Sequence, residues 1–190
     1  MRTQVLVRLR APDPWSFTVL DTLRRKFGLG QVVGIARLKC WDVVFRRMDA
    51  GSALEATARV LRETALLANP NRDRWVLRGE ADHSVPADFW HRSVPDSKGF
   101  AVKVTDRKDI KGRSIREILR QRLRMDEIEE VCFSTIWILE ISADEPDPEG
   151  LARDISTARS WRHGLLSNPH CQNAEVRETE SCIQVKDSRS

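Results

Sequence analysis

The stretch from Gly51 to Arg78 returns as Gly150 to Arg177. At a constant offset of 99 the pairs include Gly51/Gly150, Ala53/Ala152, Leu66/Leu165, Leu67/Leu166, Asn69/Asn168, Pro70/Pro169 and Arg78/Arg177. The first part of each unit repeats at an offset of 96, pairing Val19 with Ile115, Leu23 with Leu119, Arg24 with Arg120 and Trp41 with Trp137. The second copy therefore carries three extra residues near Pro146 to Pro148. An internal duplication constrains architecture before any element is assigned, because both copies must accept one fold.

The reading is two small domains, 1–79 and 98–178, joined by a connector at 80–97 and followed by a flexible tail at 179–190. Each copy spans about 75 to 80 residues, a size that buries only ~60% of the unfolded surface, so extensive shared burial is expected. No stretch of the 190 residues approaches the ~20 apolar residues of a membrane span, and Met1-Arg2-Thr3 opens no signal-peptide apolar core. The cytoplasm is the expected address. There Cys40, Cys132, Cys171 and Cys182 are expected to be reduced and incidental to function.

Charge is unevenly shared. Residues 1–79 hold 15 Lys and Arg against 7 Asp and Glu, residues 80–97 hold 1 against 4, and residues 98–190 hold 16 against 17. A basic first copy beside a near-neutral second argues against a tandem that binds nucleic acid uniformly.

Each copy reads as an α+β unit. Val5, Val7 and Leu9 alternate with Leu6, Arg8 and Arg10 as a strand with one buried face. Pro12-Asp13-Pro14 breaks it, and Val19, Leu20, Leu23 and Phe27 then fall at helical spacing until Gly28-Leu29-Gly30. The β-prone runs Val32 to Ala36 and Trp41 to Phe45, separated by Arg37 to Cys40, predict a hairpin. Asp49-Ala50-Gly51-Ser52 supplies a cap for a second helix with Leu54, Ala58, Leu61 and Ala65 as its stripe, ended by Asn69-Pro70. Arg74 to Arg78 closes the unit as a strand. Copy two repeats the order: strand Phe100 to Thr105, helix Gly112 to Leu123, a hairpin of Val131 to Ser134 and Trp137 to Ile141, a helix ended by Asn168-Pro169, and strand Ala174 to Arg177. The expected order is βαββαβ, twice.

The endings Leu67-Ala68-Asn69-Pro70 and Leu166-Ser167-Asn168-Pro169 resemble the PurS family, the small subunit of phosphoribosylformylglycinamidine synthase. Lys108 to Ile115 is similar to that family's Gly-Lys/Arg-x-Ile opening of the first helix. Copy one carries Pro12-Asp13-Pro14-Trp15 at that point, and Ile35 to Lys39 stands where the family has a basic Arg-Val-Gly-Lys segment. The resemblance implies two PurS-like domains of ferredoxin-like order packed as a pseudo-dimer, open to further self-association. It implies a subunit without catalytic residues, cofactor or metal, bridging a PurQ-like glutaminase and a PurL-like synthetase for ammonia transfer in purine biosynthesis. In that reading Asn69, Pro70, Asn168 and Pro169 close helices, and Trp41 and Trp137 fill equivalent positions on a central strand.

Rival chemistry is weaker on spacing. His163, His170 and Cys171 lack a second ligand pair at zinc spacing. His83, His91, Asp82 and Asp88 sit in the connector and read as loop residues, and Gly28-Leu29-Gly30 follows a helix without the Gly-Lys-Ser/Thr ending of a phosphate loop. Because βαββαβ is also the order of the RRM, a tandem RNA-binding protein is the alternative function, with a small-molecule regulatory tandem as a third. Trp41 to Phe45 and Trp137 to Ile141 lack the RRM's Lys/Arg-Gly-Phe-Gly-Phe stacking pattern.

Overall fold

The computed structural model describes residues 1–79, 89, 96–157 and 165–179. Its elements run β1 (Arg2–Leu9), α1 (Pro14–Asp21), β2 (Val32–Phe45), α2 (Ala50–Glu63), β3 (Asp73–Gly79), β4 (Ser97–Asp106), α3 (Ile110–Leu123), β5 (Ile128–Ser142), α4 (Pro148–Ser156) and β6 (Gln172–Thr179). The described residues form an α+β fold, with four α-helices and one six-stranded sheet ordered β3-β1-β2-β5-β4-β6. Every neighbouring pair of strands is antiparallel.

The two expected hairpins are absent. Val32–Phe45 and Ile128–Ser142 are single strands of 14 and 15 residues. Arg37-Leu38-Lys39-Cys40 holds none of the Gly, Pro, Asn or Asp that a tight turn uses, and period-2 alternation continues straight through it. Fourteen residues extend for roughly 46 Å, long enough for β2 to pair with β1 along one part and with β5 along nearly all of it.

The pairing of β2 with β5 repeats the duplication. Trp41 faces Phe133 and Arg37 faces Trp137, which are one pair seen twice at the 96-residue offset, and Lys39 opposite Thr135 is the midpoint. Reading outward from that seam, the order is β2-β1-β3 on one side and β5-β4-β6 on the other.

The helices cross the seam. Val5, Val7, Trp41, Val43 and Phe45 form a core with Ala53, Val60 and Leu61 of α2, and Leu119 of α3 from the second copy joins them. Val19 of α1 and Leu23 after it instead enter the core of Phe100, Val102, Val104, Trp137, Leu139 and Ile141 with Ala152 and Ile155 of α4. Each copy thus donates a helix to the other's core, the shared burial that two units of this size require. Residues of opposite parity, Leu6, Leu38, Cys40, Ile136 and Ile138, form a third cluster on the other face, where Phe89 packs on them.

Local chemistry sets the helix ends. Asp13, Asp49, Asp109 and Asp147 each cap a helix by accepting a backbone N–H two or three residues on. After α1 the chain continues as a π-helical turn over Thr22–Lys26, and Gly28 then takes φ 69°, the left-handed conformation that favours glycine. α2 ends at Glu63, six positions before Asn69. Asn69 therefore does not close the helix as expected from the sequence. For α4 the end is Ser156, well ahead of Asn168.

Candidate functional site

Asn69 and Asn168 shape the turns that lead into the edge strands. The Asn69 side-chain oxygen accepts from Asn71 N–H at 3.0 Å, and its carbonyl accepts from Asp73 N–H at 2.7 Å. Asn168 repeats both bonds, with His170 N–H at 3.0 Å and Gln172 N–H at 2.7 Å. Such Asx turns are what a short amide side chain does where a helix is not continued. Arg10 and Arg107 then reach the carbonyls of Pro70 and Pro169 at 3.2 and 2.9 Å. The two motifs lie on opposite halves of the sheet and do not form one site.

Trp41 and Trp137, each 7% exposed, both lie on the seam strands but in different chemistry. The Trp41 indole N–H donates to the Leu67 carbonyl at 2.8 Å, and its ring packs on Phe133 with centroids 4.7 Å apart. Lys111 Nζ lies 4.4 Å from the Phe133 centroid. On the other side the Arg37 guanidinium lies 5.7 Å from the Trp137 ring and 5.6 Å from Trp15. At the 96-residue offset Trp15 corresponds to Lys111 and Arg37 to Phe133, so cation and ring have exchanged places. Asp13 completes copy one with two bonds to Arg37 at 2.9 and 3.0 Å. Asp109, at the matching position, accepts instead from the backbone N–H of Phe133 at 2.5 Å. Arg37 and Asp13 were not singled out from sequence, because their partnership spans 24 residues and no local pattern marks it.

The face opposite the helices carries a buried polar row. Arg78 Nε donates to Gln4 Oε1 at 2.8 Å, Gln4 Nε2 donates to Asp42 Oδ1 at 2.7 Å, and Lys103 Nζ donates to Asp42 Oδ2 at 2.8 Å. Asp42 is 4% exposed, a burial that a carboxylate tolerates only when paired. Eight positions along β2 from Asp42, Glu140 lies against Gly34 so closely that a Cβ there would stand 2.5 Å from its carboxylate oxygen. The sequence signal for the row was Asp42 itself, a charge inside the apolar strand run Trp41 to Phe45.

Stacking bases would require rings on the open face of the central strands. Trp41 and Trp137 instead belong to the helix-side cores, and the other face carries Leu38, Cys40, Ile136 and Ile138, all of them buried. Among the described residues no three His, Cys, Asp or Glu side chains gather as metal ligands. His163, His83, His91, Asp82 and Asp88 lie outside the described residues, as does Cys182. No helix of the described residues is long and apolar enough to cross a membrane.

Burial, reinforced by Asp42, pushes the Cys40 thiol up to about 12, and burial with Glu130 raises Cys132 to about 12. Cys171 is exposed. Iodoacetamide at mildly alkaline pH is expected to alkylate Cys171 in the folded chain and to spare Cys40 until denaturant is added, as read by peptide mass mapping. Folded Cys40 and Cys132 keep protons that the unfolded thiols release near 9, so folding stability falls as pH rises above 9. Equal labelling of Cys40 and Cys171 in the native chain would contradict this placement.

A cleft of about 290 Å³ lies beside α1, lined by Arg8, Arg10, Arg37, Phe17, Leu20 and Ile35 among others. Phe17 of this lining is 63% exposed, and Trp15, whose ring lies 5.6 Å from the Arg37 guanidinium, is 64% exposed. Their counterparts at the 96-residue offset are Lys111 and Arg113. The chain thus offers an aromatic and cationic corner on one copy and a purely cationic one on the other. No family model, curated protein or solved structure matches this chain.

Proposed function

We propose that this chain is a non-catalytic bridging subunit of the phosphoribosylformylglycinamidine synthase complex, its two PurS-like units closed into an intramolecular pseudo-dimer. It holds a PurQ-like glutaminase beside a PurL-like synthetase in the cytoplasm, so that ammonia released from glutamine reaches the amidation site. The observation that carries the reading is the seam. Equivalent strands pair about a midpoint while equivalent corners, Trp15 and Phe17 against Lys111 and Arg113, present different chemistry. A symmetric frame with divergent corners suits a protein that meets two different partners, and fusing the copies replaces a bimolecular pairing by an intramolecular one. The Leu-Ala-Asn-Pro and Leu-Ser-Asn-Pro endings supply the family assignment.

Reconstitution with PurL-like and PurQ-like subunits tests it. Omitting the chain is expected to lower glutamine-dependent turnover about tenfold or more, close to 1.4 kcal/mol of barrier, while ammonia-dependent turnover changes less than about twofold. Equal glutamine-dependent rates with and without the chain would eliminate the bridging role. Retention of RNA by the isolated chain would favour the RNA-binding alternative.

A further inference from the structure

β2 has an open edge. Its pairing with β1 stops where Val7 meets Lys39, yet β2 continues back to Val32. From Val33 to Arg37 its β1-facing side has no neighbouring strand among the described residues. Which backbone groups point that way follows from alternation along the strand. Phe45 N–H donates to the Met1 carbonyl on the β1 side, so odd-numbered residues face it; β2 pairs with β5 without a register shift from Gly34 to Val44, and the shift at Val44/Phe45 places its extra residue, Glu129, in β5, so the alternation along β2 holds. The N–H and C=O of Ile35 and Arg37 are therefore turned to the open side. Arg24 takes the carbonyls of Val32 and Val33 at 2.8 and 2.9 Å and leaves those of Ile35 and Arg37.

Copy two closes the matching edge. Asp109 accepts from Phe133 N–H, and α3 lies so near β5 that a Cβ on Gly112 would overlap the Val131 carbonyl. In copy one Asp13 caps α1 and accepts from the Arg37 guanidinium with both oxygens, and no bond from it to the Arg37 backbone N–H is present. Among the described residues the open edge is thus particular to copy one, and a cleft lies along it.

We propose that this edge of β2 receives an extended segment of a partner protein by strand addition, and that the segment alternates acidic with apolar side chains. Strand addition draws affinity from main-chain bonds and specificity from pockets for alternate side chains. The pockets are present. Leu20 and Ile35 with the exposed Phe17 give an apolar lining, Arg8, Arg10 and Arg37 line the same cleft, and the exposed Trp15 ring lies against Arg37. Charge selects the occupant: residues 8–37 hold six Lys and Arg against two Asp, whereas the equivalent residues 104–133 hold eight against seven. The inference goes beyond the bridging reading and does not rest on the identity of the synthase.

The test uses the full chain and three fluorescent synthetic peptides. One alternates Glu and Val, one alternates Lys and Val, and one is the Glu-Val peptide with alternate backbone nitrogens methylated. Saturable anisotropy is expected for the Glu-Val peptide, weakened by added salt, with about tenfold or weaker affinity for the other two. Hydrogen exchange at the Ile35 and Arg37 amides is expected to slow on binding. The double variant Trp15→Ala, Phe17→Ala, with an unchanged melting temperature, loses about tenfold in affinity, while Lys111→Ala, Arg113→Ala stays within about twofold. No saturable binding below about 1 mM, equal affinity for the methylated peptide, or exchange protection elsewhere would overturn the proposal. So would competition by oligouridylate, or dimerisation of the chain that Trp15→Ala abolishes, since each names a different occupant.

Discussion

Trp41→Ala is expected to destabilise the chain by about 3–5 kcal/mol, the range for a large aromatic deleted from a packed core. For a chain of this length that lowers the melting temperature by roughly 10 °C. Two losses add. The ring leaves a cavity against Phe133 at the seam and against the α2 residues of the same core, and the buried Leu67 carbonyl loses its 2.8 Å donor. Trp41→Phe separates them, since it keeps a ring for Phe133 and removes only the donor, and it is expected to cost about 1–2 kcal/mol. Because Leu119 of α3 packs in the same cluster, unfolding is expected to remain one transition for both copies when followed by tryptophan fluorescence and by circular dichroism. A Trp41→Ala loss below about 1 kcal/mol, or two separate transitions, would refute the shared core.

The duplication made much of this fold readable in the amino-acid sequence. Matching offsets placed a strand, a helix, β-prone runs, a second helix and a closing strand in each copy, and strands and helices form in those places. The hairpins failed for a reason that lies in Arg37 and Lys39. Charged side chains between two apolar runs look like a loop, but Arg37 is held by Asp13 and lies near the Trp15 and Trp137 rings, partners that no local window contains. The same holds for the crossing helices. The spacing of Val19 and Leu23 announces an apolar stripe without saying that it is buried against strands of the other copy. Asn69 and Asn168 were expected to close helices, but their side chains start turns several residues after the helices have ended. The open edge at Ile35 is invisible from sequence, because it depends on where β1 leaves β2.

Removing Lys103 should expose how much the two copies depend on the polar face. Asp42 and Lys103 belong to β2 and β4, with β5 between them, so their 2.8 Å ion pair straddles the seam. Asp42 is 5% exposed at its side chain and Lys103 34%, so the carboxylate bears most of the burial. Lys103→Met leaves that carboxylate with Gln4 Nε2 but without its ammonium, and is expected to cost about 2–3 kcal/mol, below the full range for a deeply buried pair because water reaches the lysine. The double variant Asp42→Leu, Lys103→Met is expected to be more stable than Lys103→Met alone, since two apolar side chains remove the unpaired charge together. The sign of that difference separates a penalty of burial from a net attraction. If the double variant were the less stable of the two by urea denaturation, the ion pair would be a source of stability in itself. The row from Arg78 to Lys103 would then hold the copies together as much as the paired strands β2 and β5 do.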